Sequence, residues 1–392
     1  MKLSPPSFFI LIAAIGGLAI FSSTLSKTPV LPLFALALQA SPSEIGWIVM
    51  ASTLPGILIS FPAGALSDYL GRRRLLLAAL VVFATAPFLY LIVSNAWQLM
   101  AVRFYHGFAT AIFGTVASAA IAARYTTDRA TKLSTYSSIT IVGRSIAPFL
   151  GGLLISLASF QAVYIACAIS GVLALATGLL LRDSTPTVGA KLEMPRFWFS
   201  LKTVLRDRSI MLVSLIEAAQ YLVFGAIEAF LALFAASLGI PAWQIGVILG
   251  VQLVSIVFTK PLMGKMSDRV GRMKIIIPGL LIGAASIALL PYAPNFVGLT
   301  GLSLVFGLGF AAVTSSTTAW VADLTQDNRF GSSIGVLRTV MDVGQSIGPV
   351  LTGWMVGYAG YGSAFTLLAV VLLAAALLLG VMLRVDSPAG RR

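Results

Sequence analysis

Glu217 and Glu228 stand eleven residues apart in one apolar run. Eleven helical steps of about 100° return the second to within about 20° of the first. A carboxylate in such surroundings costs several kcal/mol unless it is paired, neutralised or turned to water, so the pair is a candidate for carrying protons. Gln220, Tyr221 and Phe224 fall on the same stripe, which is expected to line a central cavity. The other ionisable groups that interrupt apolar stretches are few: Lys27, Arg103, His106, Arg144, Arg338 and Asp342. His106 is the single histidine, and an unperturbed imidazole titrates near neutral pH, which makes it a further candidate. Each residue has a competing structural use. The glutamates suit a salt bridge to Arg338 or another base, Arg103 and His106 suit interhelical hydrogen bonds, and Lys27 can snorkel to the outer surface.

Other chemistries find no support. One histidine and one cysteine supply neither a metal cluster nor a nucleophile triad. Gly307-Leu-Gly309 has the outline of a dinucleotide loop, but it lies inside an apolar run with no strand before it, where close helix packing explains it better. No phosphate-binding loop is present. The chain is therefore expected to be no enzyme and to use no cofactor or metal. Cys167, being alone, excludes a disulfide framework.

The elements that position these residues follow from composition. Of 392 residues, 58% are hydrophobic and 10% charged, against about 25% charged in a soluble domain. Windows of about 20 apolar residues place twelve membrane helices. They fall near 8–38, 43–66, 74–94, 96–123, 132–157, 160–181, 208–238, 242–264, 273–293, 295–322, 331–357 and 360–383. The net charge of +13 is carried on alternate connections, such as Arg72 to Arg74, Arg129 to Lys132 and Lys265 to Lys274. The connections around Ser41, Asn95, Ser159, Pro241, Asn295 and Gly360 hold no base. That asymmetry places both termini in the cytoplasm of a plasma membrane and removes nucleic acid as a partner. The first apolar run is too long for a signal-peptide core and reads as a retained span.

A repeat then sets the architecture. Gly64, Asp68, Gly71 and Arg72 return as Gly264, Asp268, Gly271 and Arg272, each 200 residues later. Gly107 returns as Gly307, and Gly143 to Pro148 returns as Gly344 to Pro349, with Gly348 before the second proline. The expected fold class is all-α integral membrane, with twelve transmembrane helices in two pseudo-symmetric six-helix bundles. The bundles occupy 1–181 and 208–392, joined by a cytoplasmic linker at 182–207 that carries Pro186, Gly189 and Pro195. Arg144 and Asp342 break the symmetry, facing Gln345 and Ile141 at the matched positions.

With these motifs the chain resembles the major facilitator superfamily, and within it the twelve-span drug/proton antiporters. The Asp68 hairpin is similar to that family's signature between spans two and three. Arg103 with Gly107 resembles the fourth-span signature of proton-coupled members, and Gly143, Pro148, Gly151 and Gly152 resemble the fifth-span antiporter signature. Ala147, where the family has glycine before proline, His106, where glutamine is common, and Arg124, near where span ten carries Asp323, depart from the pattern. The resemblance implies proton-coupled efflux of a small amphipathic molecule by alternating access, with the site near the bilayer midplane. The expected partners are that substrate, protons and membrane lipid, with the chain acting as a monomer. An importer or facilitator of a small metabolite or organic anion, and a non-transporting receptor or scaffold, are the alternatives.

The resemblance makes Asp68 a cytoplasmic lock. Asp68→Asn is expected to reduce transport sharply in proteoliposomes while membrane insertion stays intact, and Asp268→Asn to reduce it less. Full transport by a correctly inserted Asp68→Asn protein removes the lock.

Overall fold

The computed structural model describes residues 8–59, 71–125, 127–181, 204, 206–325 and 330–385. Every regular element among them is helical. The first half contributes α1 (Phe8–Leu25), α2 (Val30–Ala37), α3 (Pro42–Ala51), α4 (Arg72–Tyr90), α5 (Ala96–Arg124), α6 (Arg129–Leu157) and α7 (Phe160–Leu179). The second contributes α8 (Arg208–Ser237), α9 (Ala242–Val270), α10 (Arg272–Leu289), α11 (Phe296–Leu324) and α12 (Phe330–Val385). Among the described residues, 11 stretches are long and apolar enough to cross a bilayer. The last, Ser333–Val381, is 49 residues long, and Gly360 with φ 78° interrupts its helical backbone. The spans expected at 331–357 and 360–383 meet at that glycine.

The helix starts show why these residues form these elements. α4 and α10 each begin just after a glycine in the left-handed region, Gly71 at φ 91° and Gly271 at φ 105°. That backbone is inexpensive only without a Cβ, so each Gly-Arg step makes a sharp entry. α5 and α11 open on Asn95 and Asn295, whose side-chain oxygens accept from the Gln98 and Gly298 amides. Each cap satisfies one orphan donor of the first turn. Asp207 caps α8 in the same way through the Ser209 and Ile210 amides.

Two compact units result. The first comprises Met1–Ala40, Trp47–Leu192 and Pro241–Gly246; the second comprises Ser41–Gly46, Glu193–Ile240 and Val247–Arg392. Each thus takes six residues from the other half of the sequence. In the first unit α1 packs on α6 and α7, and α4 on α5 and α7. Its core gathers Ile12, Ile15, Leu80, Phe83, Phe113 and Ile121. In the second, α8 packs on α12 and α11, and α10 on α11 and α12.

The repeat extends to the packing inside each unit. Phe34 lies 5.3 Å from both the Phe160 and Tyr164 rings, and Phe234 lies 5.4 Å from both Tyr361 and Phe365. Gly107 abuts Ser52 and Pro55 as Gly307 abuts Gln252 and Ser255. The fifth-span signature is part of this scheme. In the first unit Gly152 meets Ala242 and Gly246, and Gly246 meets Pro148; in the second, Gly46 meets Pro349 and Gly353 meets Pro42. Gly143 sits on the Gly17 carbonyl, Gly344 on the backbone of Ala218 and Gly348 on that of Leu222.

The Gly348 contact is testable against an open control. A Cβ at Gly348 runs into the Leu222 backbone, whereas one at Gly301 meets nothing within 4 Å. Gly348→Ala is expected to destabilise the detergent-solubilised protein by about 1–3 kcal/mol. Gly301→Ala should be neutral or stabilising by up to about 1 kcal/mol. Equal thermal midpoints for the two variants would remove close backbone contact as the reason for Gly348.

Candidate functional site

The second unit encloses an acid. Glu217, on α8, is 3% exposed, and the Thr317 hydroxyl of α11 donates to its Oε2. Thr317 Oγ1 also lies 2.9 Å from the Val313 carbonyl oxygen one turn back, which holds the hydroxyl in place on its helix. The Lys260 ammonium of α9 exerts a favourable charge interaction on the same carboxylate. Gln220, fully buried one turn along α8, has no partner among the described residues for its amide oxygen or nitrogen. The stripe continues through Tyr221 and Phe224, whose rings stand 5.0 and 4.6 Å from Phe310 of α11. The Glu217 to Phe224 part of the stripe therefore faces α11 within the unit. Glu228, farther along α8, is half-buried.

Asp342 is half-buried on α12, and its nearest charge influence is Arg338, one turn away on the same helix. Arg338 thus acts on Asp342, while the base that acts on Glu217 is Lys260. Arg144 on α6 is exposed, and Lys27, between α1 and α2, is half-buried.

The second hairpin forms a network. Arg272 Nε donates to Asp323 Oδ2 at 2.8 Å, and its Nη1 donates to Ser267 Oγ at 2.9 Å and to Asp268 Oδ1. One guanidinium therefore ties the end of α9 and the start of α10 to the end of α11. Asp268 and Asp323 are more than half exposed, so the network positions helix ends more than it stabilises the unit. In the first half Ala123 occupies the place that matches Asp323. Gly64 and Asp68 lie outside the described residues; Gly71 and Arg72 open α4.

Arg103 and His106 lie inside the first unit, 4% and 2% exposed. Arg103 Nη1 donates to the Tyr90 hydroxyl at 3.1 Å, which stands 3.3 Å from His106 Nδ1. Their neighbours are α4 and α7 side chains: Tyr90 stacks on Tyr164 at 4.5 Å, and Phe83 meets the His106 ring edge-on. Sequence reading missed Lys260, Thr317, Tyr90 and Tyr164. Lys260 before Pro261 inside an apolar span, and the hydroxyl run Thr314 to Thr318, were the available signals. The two tyrosines carry no such mark, since tyrosine is ordinary near helix ends.

The chain matches a known family. The Major Facilitator Superfamily profile matches residues 12–251 and again 213–392, so the chain belongs to that superfamily and is a multi-pass membrane transporter. It is 23% identical over 344 residues to an MFS-type transporter of Methanocaldococcus jannaschii, covering 86% of this chain and 88% of that one. It is 25% identical over 358 residues to multidrug resistance protein MdtG of Proteus mirabilis, covering 88% of each. The crystal structure of the nucleoside transporter NupG has the same fold, with a TM-score of 0.80 at 16% identity over 97% of this chain and 100% of that one.

The enclosed acid yields a graded test. Thr317→Ala removes the hydroxyl that satisfies Glu217 and is expected to cost about 1–3 kcal/mol of stability. Thr317→Ser keeps the donor and should lose less than half as much. Indistinguishable unfolding midpoints for the alanine variant and the parent would show that the hydroxyl does not hold the carboxylate.

Proposed function

We propose that the chain is a twelve-span, proton-coupled secondary transporter that exports a small amphipathic organic molecule by alternating access. Glu217, enclosed in the second unit beside a hydroxyl and a lysine, is the observation that carries this reading. A proton arriving there neutralises a buried charge, alters its interaction with Lys260, and so biases the helix packing around α8 and α11 toward another conformation. Glu228 and Asp342 are the further acidic candidates, and His106 follows them. The direction of transport is supported by the fifth-span glycines and by the likeness to MdtG, which is a multidrug resistance protein.

In this reading residues 1–181 and 208–392 form the two six-helix halves, 182–207 is the cytoplasmic linker, and both termini are cytoplasmic in a bacterial-type inner membrane. The hairpins at Asp68 and Asp268 hold the cytoplasmic ends, and the protein works as a monomer in contact with lipid. Lys27, Arg103 and Arg144 of the first half and Glu217, Glu228 and Asp342 of the second polarise the interior. This polarity favours a neutral, zwitterionic or anionic-headed solute over a dication. Import or facilitated movement of a metabolite is the second reading, favoured by one residue: Ala147 is fully buried where the matched position has Gly348. Counterflow in oriented vesicles separates the two directions.

Coupling is tested by separating exchange from accumulation. Glu217→Gln and Glu228→Gln proteins are each compared with the parent in proteoliposomes. The variant that has lost the proton carrier should still exchange substrate at equilibrium but fail to accumulate it against a gradient when a pH difference is imposed. Retained accumulation in both single variants and in the double variant excludes the pair as obligatory carriers.

A further inference from the structure

One hydroxyl in the second unit stands between two acceptors. Thr317 Oγ1 is hydrogen-bonded to Glu217 Oε2 of α8, and it also lies 2.9 Å from the Val313 carbonyl oxygen of its own helix, α11. A threonine hydroxyl has one proton to donate and two lone pairs with which to accept. It therefore serves only one of these oxygens at a time, and the state of Glu217 decides which. While Glu217 is ionised, the charge-assisted bond to the carboxylate is the stronger and takes the hydroxyl proton. Once Glu217 carries a proton, its own O–H becomes a donor with Thr317 Oγ1 in reach, and the threonine proton turns to the Val313 carbonyl. One proton is added to the carboxylate in this step, and none passes between the two side chains.

The surroundings single this joint out. Glu217 and Thr317 are both buried. The neighbouring hydroxyls of Thr314, Ser315 and Thr318 donate to the carbonyls of Phe310, Ala311 and Thr314, four residues back along α11. Within this run, and among the described residues, Thr317 is the one that also bonds a carboxylate. Back-bonds of this type bend a helix, so one that comes and goes with a proton alters α11 at that turn. In the first half Gly17 stands at the position matching Glu217 and Ala117 at the position matching Thr317, so both partners are replaced together. The charge acting on Glu217 is that of Lys260 on α9. On α12, which packs against α8, Arg338 acts on Asp342. Helix α11 carries only Asp323, in its last turn and bonded to Arg272, and α8 carries Glu228 eleven residues further on.

We propose that Thr317 is a positioning residue that senses the proton on Glu217 and passes its arrival to the backbone of α11. It donates to the carboxylate in the ionised state; in the protonated state it accepts from the acid and donates to the Val313 carbonyl. This role rests on Glu217 as the proton carrier, and it supplies the route by which protonation on α8 reaches α11.

The test is infrared difference spectroscopy, acid against alkaline pH, on the purified full-length protein in detergent. The carboxylic-acid carbonyl band that is lost in Glu217→Gln belongs to Glu217. In Thr317→Val and Thr317→Ala this band should move to higher frequency, because the acid O–H has lost its acceptor, and Thr317→Ser should return it to the parent position. An amide carbonyl change should titrate together with the band in the parent and in Thr317→Ser, and be lost in the valine and alanine variants. A band that stays in place in both of those variants overturns the switch. So does an amide change that persists in them, and so does the absence from the parent of any band owed to Glu217. Accumulation in proteoliposomes judges the carrier separately. Retained accumulation by Glu217→Gln with a moved band removes Glu217 as obligatory carrier and keeps the hydroxyl switch, whereas lost accumulation with an unmoved band does the reverse.

Discussion

Helices in hydrocarbon gain little from hiding apolar side chains from one another, because lipid is as apolar as leucine, so association depends on close fit. The rest of this structure depends on that constraint. Gly348 on Leu222, Gly344 on Ala218, Gly143 on Gly17 and Gly309 on Gly279 bring backbone onto backbone at spacings that a side chain would prevent. The same device seats Gly246 on Pro148 and Gly46 on Pro349, each within a compact unit that borrows six residues from the other half of the sequence.

On this common frame the two units carry opposite chemistry. The first encloses Arg103 with donors around it; the second encloses Glu217 with a donor hydroxyl and a nearby lysine. Where one unit carries an ionisable side chain its counterpart can be uncharged, as with Arg103 and Ser303 or His106 and Phe306.

The two hairpin signatures diverge in the sequence around them as well. Arg272 closes a tie among Asp268, Ser267 and Asp323, while the first half has Ala123 at the place that matches Asp323. The relevant difference lies some fifty residues beyond the motif, at the far end of the next long helix.

The amino-acid sequence by itself determined the membrane helices, their order, the positions of their turns and the internal repeat. Each is set by local or near-local physics: apolar length against bilayer thickness, the left-handed glycine before Arg72 and Arg272, the asparagine caps at 95 and 295. It also marked Glu217, Arg103 and His106 as out of place in an apolar setting. Which neighbours receive them was decided only by tertiary structure. A helical period says that Glu217, Gln220 and Phe224 share a face, but not that residues of α11 lie against it. The partners Thr317, Lys260, Tyr90 and Tyr164 come from helices distant in the chain, and their place beside a buried charge follows from helix rotation and register, which are fixed by packing rather than by any local pattern.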